Sequence, residues 1–180
     1  TARFDGVDLG DRPIAVSPQE LDAAAGLISD EVRAAIEFAV DNVVRVHEAQ
    51  LDRSLHTTEV RPGVYAGERA TPIPSAGLYV PHGRGSFPSM LYMLAVPARV
   101  AGVDHVAVVT PPSRDGSVDP ACLYAARYVG VDTVYRVGGA QAIAALAYGT
   151  ESVAAVSKLV GPGSMYVAAA KREVAGVVDT

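Results

Sequence analysis

Residues 137–149 decide the fold of this chain; they read Val-Gly-Gly-Ala-Gln-Ala-Ile-Ala-Ala-Leu-Ala-Tyr-Gly. The β-forming residues up to Val137 predict the end of a strand, and the two glycines permit a tight turn. The apolar run that follows favours a helix, which Gly149 ends. Gln141 therefore lies in a first helical turn at the carboxyl end of a strand, where open α/β sheets bind ligands. On spacing alone, such a glutamine is more often a helix cap than a ligand contact.

The composition is that of a globular protein with a large core. Hydrophobic residues make up 49% of the 180 residues and charged residues 19%, enough for one domain of good size or a domain with an appendage. The formal net charge of -5 argues against a nucleic-acid-binding surface. No apolar run reaches membrane-spanning length. Cys122 is the only cysteine, so an internal disulfide is impossible and a reducing, cytoplasmic location is expected.

A sequence echo predicts parallel strands. Residues 101–106 (Ala-Gly-Val-Asp-His-Val) resemble residues 129–134 (Val-Gly-Val-Asp-Thr-Val), 28 positions later and close to the length of a βαβ unit. Strands and helices that alternate at this spacing pair in parallel through right-handed crossovers, which cover both faces of the sheet. The predicted fold class is α/β: a parallel sheet with helices on both faces, forming an incomplete Rossmann-like domain.

Three segments are predicted along the chain. Residues 1–55 are expected to form a helical N-terminal arm, in which residues 17–20 (Ser-Pro-Gln-Glu) have the pattern of a capping box. Residues 56–74 are expected to form a β-hairpin linker around a Pro-Gly turn. Residues 75–180 are expected to form the Rossmann-like domain.

Glycine turns follow three of the predicted strands and are the candidate ligand-binding elements. They lie at residues 81–85, 138–139 and 161–163. Backbone amides and helix N-termini gathered at one edge of a sheet favour anionic ligands, so a nucleotide is the expected ligand. The standard dinucleotide fingerprint and a phosphate-loop Gly-Lys-Ser/Thr are both absent, and plain turns are an equally good interpretation.

The other side chains assign no reaction centre. The four histidines include no ligand pair at helical spacing. Cys122 lies in a predicted apolar helix and is expected to be a buried, unreactive thiol. No Ser/His/Asp order and no paired carboxylates stand out, so pattern alone identifies no catalytic residue.

Six motifs, dense after Ser75, carry a resemblance to a known family; they are residues 77–81, 97–103, 137–151, 160–163, 166–167 and 170–172. Together they resemble histidinol dehydrogenase, and the Gly-Gly-Ala-Gln-Ala-Ile-Ala-Ala-Leu-Ala block is highly specific. The helical arm from Ser17 is also similar to that family's N-terminal region.

The resemblance implies a homodimeric, zinc-dependent enzyme that oxidises the amino alcohol L-histidinol to L-histidine through an aldehyde, using two NAD+ in turn. It implies that residues 75–180 bind NAD, with Tyr79, Gln141 and Ser164 matching the family's NAD contacts. The family's zinc ligands and its Glu-His base pair match no part of this chain. We therefore expect the NAD-binding first half of such an enzyme, with zinc ligands outside the segment and no oxidation of histidinol by the segment alone.

Two positions depart from the family pattern. Ser164 stands where members usually carry Asn, and His82 stands where Gly is usual. Three interpretations remain open at this stage: a histidinol dehydrogenase, a relative on the same scaffold that oxidises another small polar alcohol, and a non-catalytic nucleotide-binding or assembly module.

Overall fold

The computed structural model describes residues 2–51, 55–82, 85–131 and 133–180. Its helices are α1 (Pro18–Ala23), α2 (Asp30–Gln50), α3 (Pro88–Val100), α4 (Pro120–Val129), α5 (Gly139–Tyr148) and α6 (Met165–Glu173), with a 3-10 turn at Ala24–Leu27. Its strands are β1 (His56–Arg61), β2 (Val64–Glu68), β3 (Ser75–Tyr79), β4 (His105–Thr110), β5 (Thr133–Arg136) and β6 (Lys158–Val160). The predicted α/β class is confirmed.

The helical arm begins where the sequence predicts. Ser17 accepts a hydrogen bond from the backbone of Glu20, and the Glu20 carboxylate accepts one from the backbone of Ser17, which completes the capping box of α1. Ser29 is the N-cap of α2, and its side chain accepts a hydrogen bond from the backbone N–H of Val32. Helix α2 buries Ile36 and Val40 against α3 and α4, so the arm packs on the helices that cover the sheet.

The β1–β2 hairpin is antiparallel, as predicted, and every residue of its two strands is exposed. Gly63, with φ +75°, lies in the turn between the strands. In the described part of the chain, no helix has the length and apolar character needed to cross a bilayer.

The main sheet has four parallel strands in the order β5-β4-β3-β6. Side chains alternate between its two faces, and each face buries its own apolar core. Val106 and Val108 of β4 belong to the core under α3 and α4, whereas Ala107 and Val109 belong to the core under α5 and α6. This alternation explains why the sequence of β4 is apolar almost without interruption.

The strand order contains a topological switch point. The chain steps from β3 to β4 to β5 in one direction, and then crosses back through α5 to place β6 on the other side of β3. The helices that follow β3 and β6 pack on opposite faces of the sheet, an arrangement that in open α/β sheets forms a crevice at the carboxyl ends of the strands. Tyr79 ends β3 at this crevice, and residues 161–164 leave β6 beside it.

Segments from both ends of the described chain cover the edges of this sheet. Residues 14–16 run antiparallel to β5, with hydrogen bonds of 2.8 Å from Val16 N to Val134 O and from Arg136 N to Ile14 O. At the other edge, Leu159 N donates to Asp179 O at 2.7 Å. Covered edges cannot pair with strands of other molecules.

Candidate functional site

Two glycines shape the N-terminus of α5, Gly138 because its position has no room for a side chain and Gly139 because of its backbone conformation. A Cβ at Gly139 would lie 2.7 Å from Oε1 of Gln141, and the φ of Gly139 is +67°. A Cβ at Gly138 would overlap the ring of Pro111. The Gln141 side chain lies over the turn, and the positive φ of Gly139 favours glycine at that position.

Tyr79 joins the end of β3 to this turn. Its side chain is 5% exposed, and its hydroxyl oxygen accepts a hydrogen bond of 3.0 Å from the backbone N–H of Gly139. Burial raises the pKa of the hydroxyl above its ordinary value of 10.0; the N–H of Gly139 opposes the rise, and the charge of Asp5 adds to it. Tyr79 is thus a neutral phenol that accepts from the protein and keeps its own O–H as a donor.

Gln141 is half-buried and does not cap its helix. Gly138 is the N-cap residue and α5 has no side-chain cap, while Gln141 Nε2 donates to Asp5 Oδ2 at 3.2 Å. The interpretation of Gln141 as a helix cap is therefore wrong. Asp5 is a member of the site that sequence reasoning missed, because it lies in an irregular segment 136 residues away with no motif around it.

Ser164 lies at the N-cap position of α6. Its backbone carbonyl accepts from Ala168 N at 2.9 Å, but its hydroxyl makes no capping hydrogen bond. The residue is exposed at the start of the helix. Its hydroxyl is therefore open to a ligand or to water.

The turn after β6 is pressed against the end of β3. Gly161 has φ +117°, and a Cβ there would overlap the carbonyl oxygen of Tyr79. From the other side, Lys171 Nζ donates to Gly161 O at 2.8 Å. Burial lowers the pKa of this ammonium below its ordinary value of 10.5. Tyr79 thus meets the α5 turn through its side chain and the β6 turn through its backbone, which brings two of the three predicted glycine turns together.

The remaining predicted features lie elsewhere or outside the described residues. His82 is described and half-buried after β3, but Gly83 and Arg84 of the first glycine turn are not among the described residues, and neither is Asp132 of the sequence echo. Cys122 is buried in α4, and burial, helped by the charge of Asp119, raises its pKa to about 12. Its thiol stays protonated, as expected for a structural cysteine.

A metal site is not found in the described part of the chain. No group of three or more His, Cys, Asp or Glu side chains there is arranged to hold an ion. The described residues therefore do not fit zinc, and no chemical step through zinc is assigned to them.

Comparison with known proteins identifies the family. The sequence model of histidinol dehydrogenase matches residues 1–180. The chain belongs to the histidinol dehydrogenase family. A histidinol dehydrogenase homolog of Rhizobium meliloti (strain 1021) is 52% identical over 183 residues, covering 99% of this chain and 40% of the relative. Histidinol dehydrogenase of Synechocystis sp. is 51% identical over 177 residues, covering 98% and 41%.

A solved member of the histidinol dehydrogenase family shares the fold. The crystal structure of histidinol dehydrogenase from Elizabethkingia anophelis superposes with a TM-score of 0.93 at 37% identity, over 99% of this chain and 41% of that one. The chain thus spans about two fifths of the length of these relatives.

Proposed function

We propose that the chain is the NAD-binding portion of a zinc-dependent dehydrogenase that oxidises L-histidinol to L-histidine with two NAD+. The observation that carries the proposal is the meeting of Tyr79, Gln141 and the Gly161 turn at the switch point of the sheet, in a chain of the histidinol dehydrogenase family. Dinucleotides bind at such switch points in other open α/β sheets.

The polar groups at the crevice suit NAD. The phenol of Tyr79 can donate a hydrogen bond, Oε1 of Gln141 can accept one, and the hydroxyl of Ser164 can do either. When bound, NAD+ supplies the hydride acceptor for alcohol oxidation. The residues of this chain would bind and orient it, because the hydrogen bonds between Gly139 and Tyr79 and between Lys171 and Gly161 hold both turns before a ligand arrives.

Zinc and the proton-accepting base belong to the proposal but not to the described residues. Alcohol oxidation needs a group that removes the hydroxyl proton and a means of stabilising the alkoxide. We place both in segments that match the rest of the longer relatives. We also propose a homodimer in the cytoplasm; the single cysteine, Cys122, is compatible with a reducing compartment.

A second candidate function is the oxidation of another small polar alcohol. Ser164 and His82 favour it, because both depart from the pattern expected of the family at the candidate site. Several similar relatives, including those of Rhizobium meliloti and Cereibacter sphaeroides, are named as homologs of histidinol dehydrogenase.

Calorimetric titration and NADH absorbance on the full-length protein test the two proposed functions. Calorimetric titration should detect NAD binding that Gln141→Ala weakens. NADH absorbance should then rise with L-histidinol in the presence of zinc, and a panel of other small polar alcohols run in parallel separates the two candidates. A protein that binds no NAD contradicts both, whereas turnover of another alcohol in place of histidinol selects the second.

Light scattering, which measures the mass of the full-length protein in solution, tests the proposed homodimer.

A further inference from the structure

Asp5 contacts the candidate site from the N-terminal segment. Its Oδ2 accepts the hydrogen bond from Gln141 Nε2 at 3.2 Å, and its Oδ1 lies 3.1 Å from where a Cβ of Gly138 would be. Its negative charge is also close enough to Tyr79 to act on that hydroxyl. Asp5 thus lies beside two of the three residues that the resemblance assigns to NAD.

The carboxylate of Asp5 determines how the Gln141 amide is oriented. An ionised carboxylate only accepts hydrogen bonds, so it must face the NH2 group of the amide and not its oxygen. Oε1 of Gln141 is then turned away from Asp5, over Gly139. Among the described residues, none donates a hydrogen bond to this oxygen, so it is an unused acceptor at the α5 turn.

The same carboxylate changes what this end of the crevice can bind. A helix N-terminus attracts anions. At α5, however, the backbone N–H of Gly139 already donates to the Tyr79 hydroxyl, and the negatively charged Asp5 lies beside it. A phosphate here would meet the charge of Asp5 and an acceptor oxygen. Hydroxyl and amide N–H groups, in contrast, would find an acceptor.

We propose that Asp5 is a positioning residue that turns the carbonyl oxygen of Gln141 toward the ligand, so that the α5 end of the crevice binds hydroxyl or amide N–H groups of the dinucleotide and not its phosphates. The inference rests on the proposed function, since it names the part of NAD that this end of the site recognises. Under this proposal, the phosphates of NAD lie away from the α5 turn.

The N-terminal segment is held by contacts that do not involve Asp5. Val7 is 4% exposed, Arg12 Nη1 donates to Asp115 O at 3.3 Å, and Ile14 O accepts from Arg136 N at 2.8 Å. Replacing Asp5 therefore removes one carboxylate while the segment stays in place. Asp11 supplies a matched control, because it is an exposed aspartate in the same segment.

A double-mutant cycle on the full-length protein tests the inference. NAD affinity is measured by calorimetry for the unaltered protein, Asp5→Ala, Gln141→Ala, the double variant and Asp11→Ala. We expect Asp5→Ala to weaken NAD binding by about fivefold, the change in affinity expected when one hydrogen bond to the ligand is lost. We expect it to cause no further loss when Gln141 is already alanine, because Asp5 acts through Gln141. Asp11→Ala should bind NAD normally.

A second cycle, run without NAD, measures melting temperatures of the same variants. The melting temperature of the double variant should fall by less than the sum of the falls in the two single variants, because both single changes break the same hydrogen bond. Additive losses of NAD affinity, or an unchanged affinity in Asp5→Ala, overturn the inference and leave the proposed function standing. Failure of the unaltered protein to bind NAD overturns the proposed function and the inference with it.

Discussion

Gln141 uses one group of its amide to contact the protein and leaves the other for the proposed ligand. Its NH2 group is held by Asp5, while its oxygen has no protein donor in the described part of the chain. A side chain that only capped α5 would affect stability alone, and one that only contacted a ligand would affect binding alone. The hydrogen bond to Asp5, together with the free oxygen, predicts that Gln141 affects both stability and ligand binding.

The first prediction concerns Gln141→Ala in the full-length protein. NAD binding should weaken by about 1–2 kcal/mol, the size of one lost polar contact. The free energy of unfolding should fall by about 1 kcal/mol, because the hydrogen bond to Asp5 is lost as well. Calorimetric titration and urea unfolding measure the two quantities. Gln50→Ala, at the exposed end of α2, is the control and should change neither. Unchanged NAD affinity would remove Gln141 from the site.

Ser164 provides the second prediction, because its hydroxyl makes no capping hydrogen bond. Asparagine is also a good N-cap, and its amide offers two donors where serine offers one. Ser164→Asn should therefore leave stability nearly unchanged and tighten NAD binding by about 1 kcal/mol. Ser164→Ala should also leave the melting temperature unchanged. Equal or weaker NAD binding by the Asn variant would indicate a pocket built around serine, and would favour oxidation of another alcohol.

At the scale of elements, the turn after β6 is fixed by packing on both of its sides. Gly161 meets the Tyr79 backbone on one side and the Lys171 ammonium on the other. The third prediction is that Gly161→Ala destabilises the protein by about 1–3 kcal/mol, because alanine is strained at φ +117° and its Cβ overlaps a carbonyl oxygen. The NAD affinity of Gly161→Ala should also fall, because the turn lies beside Tyr79 at the proposed site. Gly26→Ala, which has open space and no positive φ, is the control. A stable Gly161→Ala variant with normal NAD affinity would falsify this account of the turn.

Helix α1 is tied to the sheet by an ion pair between Glu20 and the fully buried Arg136. Arg136 Nη2 and Glu20 Oε2 are 2.7 Å apart, and their side chains are 1% and 42% exposed, respectively. Burial raises the pKa of Glu20, but hydrogen bonds from Arg136 and Ser17 and the charge of Arg136 outweigh it, so the pKa lies below 4.5. The folded state therefore favours the ionised carboxylate.

The fourth prediction follows from the direction of this shift. A lowered carboxyl pKa contributes stability above the unfolded value of 4.5, and this contribution is lost as the pH falls through the folded value. Urea unfolding between about pH 7 and pH 3 should show Glu20→Gln less stable at neutral pH by about 0.5–1 kcal/mol, because solvent screens a carboxylate that is 42% exposed, with the gap closing in acid. Glu31→Gln, exposed on α2, is the control. A gap that stays constant with pH contradicts the assignment.

At the scale of the whole molecule, the described residues contain the switch point that we propose as the NAD site and no cluster that could hold a metal. The fifth prediction is that a polypeptide limited to residues 1–180 does not oxidise L-histidinol when NAD and zinc are supplied, because its described residues provide neither a metal site nor an assigned base. NADH absorbance measures the rate, with the full-length protein as the positive control. Zinc- and NAD-dependent turnover by the short polypeptide would overturn this division of roles.

The sequence by itself determined the class of fold and the position of most elements. The capping box at Ser17 and the parallel strands that begin at His105 and Thr133, in the repeated motif, lie where their patterns predict. Each depends on neighbours within a few positions, through capping hydrogen bonds and the alternation of side chains across a sheet. The assignment of Tyr79, Gln141 and Ser164 to NAD came from resemblance and stays a prediction, as do the segment boundaries at residues 55 and 75.

Only the tertiary structure decided which residues surround those three. The contact of Gln141 with Asp5 spans 136 residues, and that of Arg136 with Glu20 spans 116. Such pairs depend on the strand order and on how the N-terminal segment passes beside β5, and no local pattern encodes either. The energy of a buried hydrogen bond or ion pair is set by atoms that packing brings together from distant parts of the chain, which is why the sequence showed the turn at Gly139 but not the carboxylate beside it.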